Sequence, residues 1–243
     1  MLGAGSRSRS DWMGAPITGP TLVDDVTRHA LAQAWLRDAR MEHASIASFA
    51  HFTLQALALG APAELIADAQ RAALDEVAHA QACFALASRY AGDALGPAEL
   101  PMPSSLAVLP LADASAAAVR EGCVAETLAA LIAAEQLAHA TDPAARAALQ
   151  RIAQDEARHA ELAYRFVRWA LAVGGHDVRA AVQTAFALAR AEVLAANESL
   201  QPTDVSASAW QAHGRLSSRQ ERACMLAGLE QVIEPCQRAL LGA

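Results

Sequence analysis

The sequence is poor in several things, and each shortage excludes something. Aromatic residues make up 5% of the chain, and β-branched residues are too sparse and too rarely alternating for a substantial sheet. No run of 18 apolar residues occurs, so no membrane span is expected. The first twenty residues carry arginines but no apolar stretch of the kind an export signal needs. The four cysteines, Cys83, Cys123, Cys224 and Cys236, form no C-x-x-C pair, which removes a rubredoxin-type or zinc-ribbon site. With no export signal they read as reduced thiols, and the expected location is cytoplasmic. No flavin, nicotinamide or cysteine-cluster motif is visible. A formal net charge of −7 argues against a nucleic-acid partner and against an anionic membrane surface.

What remains is a chain that is 54% hydrophobic, mostly alanine and leucine. Both residues lose little entropy in a helix, and alanine lets helices pack closely. The punctuation is consistent with an all-α fold. A first helix is expected from about Leu22 to Leu59, with Thr21 as N-cap and Asp24 and Asp25 in its first turn. Gly60 stops it, and Pro62 suits the first turn of a second helix that runs to about Tyr90 and ends at Gly92. Residues 92–111 carry four prolines and form a linker long enough to cross the height of a bundle. A third helix spans about Asp113–Ala140. Asp142 as N-cap and Pro143 at the first position then open a fourth, which reaches about Val173. Two more helices are expected near Val178–Glu198 and Ser206–Leu241, with Pro235 kinking the last. The resulting division is a disordered tail at 1–20, a four-helix unit at 21–175, and accessory helices at 176–243.

The two helical hairpins resemble each other. Asp75-Glu76-Val77-Ala78-His79-Ala80 in the second helix matches Asp155-Glu156-Ala157-Arg158-His159-Ala160 in the fourth, as a duplicated helix pair would. Glutamate and histidine three apart share a helix face one turn apart, so each copy can offer one carboxylate and one imidazole to a common ion. One Glu-x-x-His is weak; two, each mid-helix and each preceded by aspartate, are much stronger.

The other two helices should each add a carboxylate. Glu42 is the only glutamate of the first. The third offers Glu121, Glu126 and Glu135. Glu121 lies about 140° and Glu135 about 180° from Glu126, so only one can face the core. Glu126 has small or apolar flanks (Cys123, Ala130, Ala133) and the right height. From the Gly60 turn, Glu42 is 18 residues back and Glu76 is 16 forward; from Asp142, Glu126 is 16 back and Glu156 is 14 forward. At about 1.5 Å per residue each pair differs in height by about 3 Å, so six ligands converge on one layer. Four buried carboxylates repel, and two divalent ions neutralise them. Mixed oxygen and nitrogen ligation suits iron or manganese better than magnesium or calcium.

This pattern, Glu42 … Glu76-x-x-His79 … Glu126 … Glu156-x-x-His159, resembles the ferritin-like di-iron carboxylate superfamily over residues 22–173, nearest to its small stand-alone bacterial members. The resemblance implies a ferritin-like four-helix bundle with one long crossover and C-terminal accessory helices. It implies two iron ions, or an Mn/Fe or Mn/Mn pair. Glu42, Glu76 and His79 would hold mainly one ion and Glu126, Glu156 and His159 the other, with Glu76 and Glu156 bridging. The Asp-Glu-x-Arg-His form at 155–159 is similar to bacterial multicomponent hydroxylases, in which the aspartate orients a metal-bound histidine. That points to Asp75, Asp155 and Arg158 as supporting residues. Cys123, Phe49 and Tyr164 are candidates for a substrate pocket, although a core role is the commoner explanation for each. Ala130 stands where such oxygenases often carry threonine, and no four-cysteine iron domain of the rubrerythrin kind is present.

The activity implied is a non-haem di-iron oxidase or oxygenase that activates dioxygen to oxidise or hydroxylate an organic small molecule, fed by an external electron donor. The alternative is a ferroxidase or rubrerythrin-like protein that handles iron or peroxide without an organic substrate. A metal-free helical scaffold is the third reading. A homodimer is compatible with all three.

Overall fold

The computed structural model describes residues 5–14, 17, 23–102, 107–196 and 205–242. It is all-helical apart from two short strands. Helices α1 (Asp25–Ala58) and α2 (Ala63–Ala91) form one hairpin. A rod made of α3 (Leu111–Ala117), a π-helical segment (Ala118–Glu126) and α4 (Thr127–His139) forms a second hairpin with α5 (Pro143–Val173). Helix α6 (His176–Ala195) covers α3. The chain ends with α7 (Ala207–Ala212), α8 (Ser218–Gly228), a short π segment (Leu229–Ile233) and α9 (Glu234–Leu241). No described helix is long and apolar enough to cross a membrane.

Local chemistry sets the boundaries. The Asp24 carboxylate caps α1, accepting from the Thr27 amide at 2.9 Å, so the cap is Asp24; Thr21 and Leu22 lie outside the described residues. Gly60 and Gly92 take φ values of +71° and +78°, which glycine alone adopts without a side-chain clash. Asp142 accepts from the amides of Ala144 and Ala145 ahead of Pro143, as expected from sequence.

Three expectations differ from the structure. Ser6–Ser8 (β1), assigned to a disordered tail, pairs antiparallel with Leu95–Pro97 (β2) inside the proline-rich linker. Trp12 then packs edge-on to His43, their ring centres 5.0 Å apart. The last helix is not continuous from Ser206 to Leu241. It breaks at Gly214, where φ is +81° and a Cβ would sit 2.8 Å from Leu149. The break brings Arg215 into the interior, where it pairs with Asp38 and lies 4.9 Å over the Trp35 ring. Ser217 and Gln220 restart the helix with a reciprocal capping box. The third helix contains a π segment that no sequence feature announced. Gly122 sits inside it, and a Cβ there would come within 2.3 Å of Ala163 Cβ, so the absence of a side chain permits close approach to α5.

The apolar core falls into two clusters. One holds Trp35, Phe84, Tyr90, Leu149 and neighbours at the end where α1 begins. The other holds Leu65, Val119, Phe166, Phe186 and neighbours at the end where α1 finishes. Between them lies a polar layer.

Candidate metal centre

Glu42, Glu76, His79, Glu126, Glu156 and His159 all meet in that layer. Glu42, Glu76, His79 and Glu156 each present a ligand atom within 4.8 Å of the others, and so do Glu126, Glu156 and His159, with Glu156 common to both groups. Both imidazoles turn Nδ1 inward. His79 Nδ1 lies 3.5 Å from Glu156, 3.8 Å from Glu42 and 3.8 Å from Glu76. His159 Nδ1 lies 3.1 Å from Glu76 and 3.5 Å from Glu156. Glu76 and Glu156 therefore each touch both histidines, as bridging residues must.

The donor set fits metal ions. His79 Nδ1, His159 Nδ1, Glu76 Oε2 and Glu156 Oε2 are buried and have no hydrogen-bond partner. Buried polar atoms are rarely left so, and four of them aimed at one point indicate a ligand. Ligand atoms about 2.0–2.2 Å from an ion stand up to about 4.4 Å apart across it, in keeping with the observed spread.

Electrostatics supports the same fit. Burial pulls the Glu42 carboxyl well above its ordinary range, with repulsion from Glu76 and Glu156 added and the nearby His79 ring opposing. Burial likewise raises Glu126, reinforced by Glu156. Burial would lower His79, but the carboxylates of Glu156 and Glu42 outweigh it and hold the ring at about 11. His159 is held at about 9 by Glu156 and Glu76 against the same burial. Glu156 is depressed, since Glu126, His159 and His79 beside it together overcome its desolvation. The cluster thus draws protons in place of the positive charge it lacks.

The supporting residues cross between hairpins. His79 Nε2, on α2, lies 3.0 Å from Asp155 Oδ2, on α5. His159 Nε2, on α5, lies 3.5 Å from Asp75 Oδ2, on α2, too long for a well-formed hydrogen bond. Arg158 Nη2 spans both aspartates, at 2.5 Å from Asp155 and 3.2 Å from Asp75. Asp155 is depressed although burial opposes it, because His79 and Arg158 both bind it.

Compared with protein-family models, curated proteins and solved structures, this chain matches none. The site therefore stands on its own geometry.

Two clefts reach it along the seam between α1 and the α3–α4 rod. One, about 670 Å³ with its open mouth, runs from Glu126 and His159 past Phe49, Phe52 and Leu162 to Leu109. The Phe49 ring, which lines this cleft, stands 4.9 Å from that of His159. The other, about 700 Å³, reaches Glu42 and Glu156 and is lined by Asp38, Gln136, Arg215 and Glu221.

Two of the pocket candidates line neither cleft. Cys123 is fully buried in the core and lines neither cleft. Three residues before Glu126 is the same face of an α-helix, but the π turn is wider, and Gly122, four before, takes that place. Tyr164 lines a separate cleft with Thr127 and Cys236. His51 and Glu121, neither of them in the ligand pattern, also line the first cleft. Spacing offers a signal only for Glu121, which lies just over one π turn before Glu126. His51 is nine residues past Glu42, about two and a half turns and about 180° away, so helical spacing does not point to it.

Proposed function

We propose that the chain is a non-haem di-metal oxidoreductase of the ferritin-like kind that acts on an organic small molecule. The observation that carries this reading is the opening of an apolar cleft directly onto Glu126 and His159. A site that only stored ions would not need a largely apolar cleft beside its ligands. Glu42, Glu76, His79 and Glu156 would hold one ion, and Glu126, Glu156 and His159 the other. Iron there supplies one-electron and dioxygen chemistry that no side chain provides. The protein's part is to fix the ligands through Asp75, Asp155 and Arg158. Phe49, Phe52 and Leu162 keep water from the substrate, and the carboxylates neutralise the added charge. Neither flavin nor nicotinamide motifs are visible, so electrons would come from a separate protein.

The second cleft favours one alternative. Its carboxylates Glu221 and Glu42, beside Asp38 already paired with Arg215, suit a hydrated cation, as iron handling would require.

The test is metal content per chain after growth with iron or manganese, beside a Glu126→Ala variant. About two metals per chain, lost or halved in the variant, support the centre. Fewer than about 0.2 per chain after anaerobic reconstitution would leave only the scaffold. Rapid iron(II) oxidation or peroxide turnover with no organic substrate would favour the iron-handling alternative.

A further inference from the structure

We infer that the cleft over Glu126 and His159 selects an amphipathic molecule whose apolar body lies against Phe49, Phe52 and Leu162 and whose hydrogen-bond-donating head, a hydroxyl or an amine, is held by His51 and Glu121. This rests on the proposed function for its chemistry, but the binding itself can be measured alone.

The wall of the cleft is apolar except at a few points. At its inner end stand the ligands Glu126 and His159. At its far end Gln55 clamps Leu109 with two hydrogen bonds of 2.8 Å, using both ends of its amide, so each end of Gln55 already has a partner. That leaves His51, Glu121 and Ser48. His51 Nε2 is buried and has no hydrogen-bond partner. A ring nitrogen in that state, on a residue that lines the cleft, is satisfied when something polar comes within reach of it. Glu121 is exposed, and no salt bridge to it occurs among the described residues.

Charge then decides the class. Among the described residues no arginine lines this cleft, whereas two glutamates do. A carboxylate or phosphate head would enter beside Glu121 with no cation to meet it, and unlike an amine it offers no proton to that oxygen. A hydroxyl or ammonium gives a proton to Glu121 and can bond the His51 ring. The helical spacing supports a single surface, because Ser48, His51 or Phe52, and Gln55 recur at three- and four-residue steps along α1. On the opposite wall, Ala114, Ala118 and Gly122 recur at four-residue steps and leave room for the body.

The experiment uses the full chain, metal-loaded and metal-stripped, and calorimetric titration with phenylpropylamine, phenylpropanol and phenylpropanoate, which share one body. The amine and the alcohol should bind, with the carboxylate at least about tenfold weaker than the amine. Glu121→Gln, at an exposed position, should cost the amine about tenfold and the alcohol less than about threefold. His51→Phe should weaken both by about three- to tenfold. Equal binding of the carboxylate, an unchanged amine affinity in Glu121→Gln, or no saturable binding of any probe at millimolar concentration would overturn the inference. A chain that discriminates the probes but holds no metal keeps this inference and loses the proposed function. One that loads two metals but treats the three alike does the reverse.

Discussion

Nε2 of His79 lies 3.0 Å from Oδ2 of Asp155, so the histidine of the first hairpin is oriented by an aspartate of the second. The mirror contact, His159 to Asp75, is looser at 3.5 Å. The two hairpins therefore lock each other's ligands unequally. Asp155→Asn should lower metal affinity by about 10- to 100-fold, and Asp75→Asn by less. Competitive metal titration against a chelator checks this. Equal losses, or none at Asp155, would refute the asymmetry.

Metal loading should release protons. In the metal-free protein His79 and His159 hold their protons up to about 11 and about 9, and each must become neutral to ligate. At neutral pH more than two protons should leave per chain for two ions, because the raised Glu42 and Glu126 carboxyls must ionise as well, and affinity should rise with pH between about 6 and 8. Calorimetry in buffers of different ionisation enthalpy measures the count. A loading that is independent of pH would contradict the inward placement of both rings.

Gly122→Ala should destabilise the protein, although the same change in an ordinary helix stabilises it by about 1 kcal/mol. The new Cβ would stand 2.3 Å from that of Ala163, and overpacking of this kind costs about 1–3 kcal/mol. Adding Ala163→Gly should restore much of the loss, which denaturant titration of the double-mutant cycle would reveal. Additive losses would mean that the two positions do not meet.

Asp142 ties three elements together. It caps α5, pairs with Arg89 of α2 at 2.9 and 3.0 Å, and its own amide donates to Ala212 of α7. Its carboxyl is depressed below the ordinary aspartate range: burial raises it, but the Ala145 amide and Arg89 together outweigh that. The sign follows. This stabilisation is present above the unfolded value and is lost as pH falls through the lower folded one. Asp142→Ala should cost about 2–3 kcal/mol at neutral pH, with the gap to wild type narrowing below about pH 4. A gap that stays constant down to pH 2 would show that the charge is irrelevant.

Much of the site was legible in the sequence because it depends on one helix at a time. Spacing of three residues puts Glu76 with His79 and Glu156 with His159, and counting from Gly60 and Asp142 gives their heights. Asp142 and Pro143 start a helix through their own local hydrogen bonds and fixed dihedral. These are properties of short segments, and the described structure carries them as the residues dictate.

What lay between segments was not legible. Nothing in the order of residues says that Asp155 serves His79 and not its own neighbour His159, since that depends on how α2 and α5 face each other. The π segment arises where Gly122 lets the rod close on Ala163, and it moved Cys123 into the core and brought Glu121 to the cleft. Arg215 and Ser6–Ser8 found partners 177 residues away at Asp38 and across the chain at Leu95–Pro97. The sequence by itself determined which residues could meet at one height. Only the tertiary structure decided which faces turned towards one another, because the rotation of one helix against the next is set by packing of both and written in neither alone.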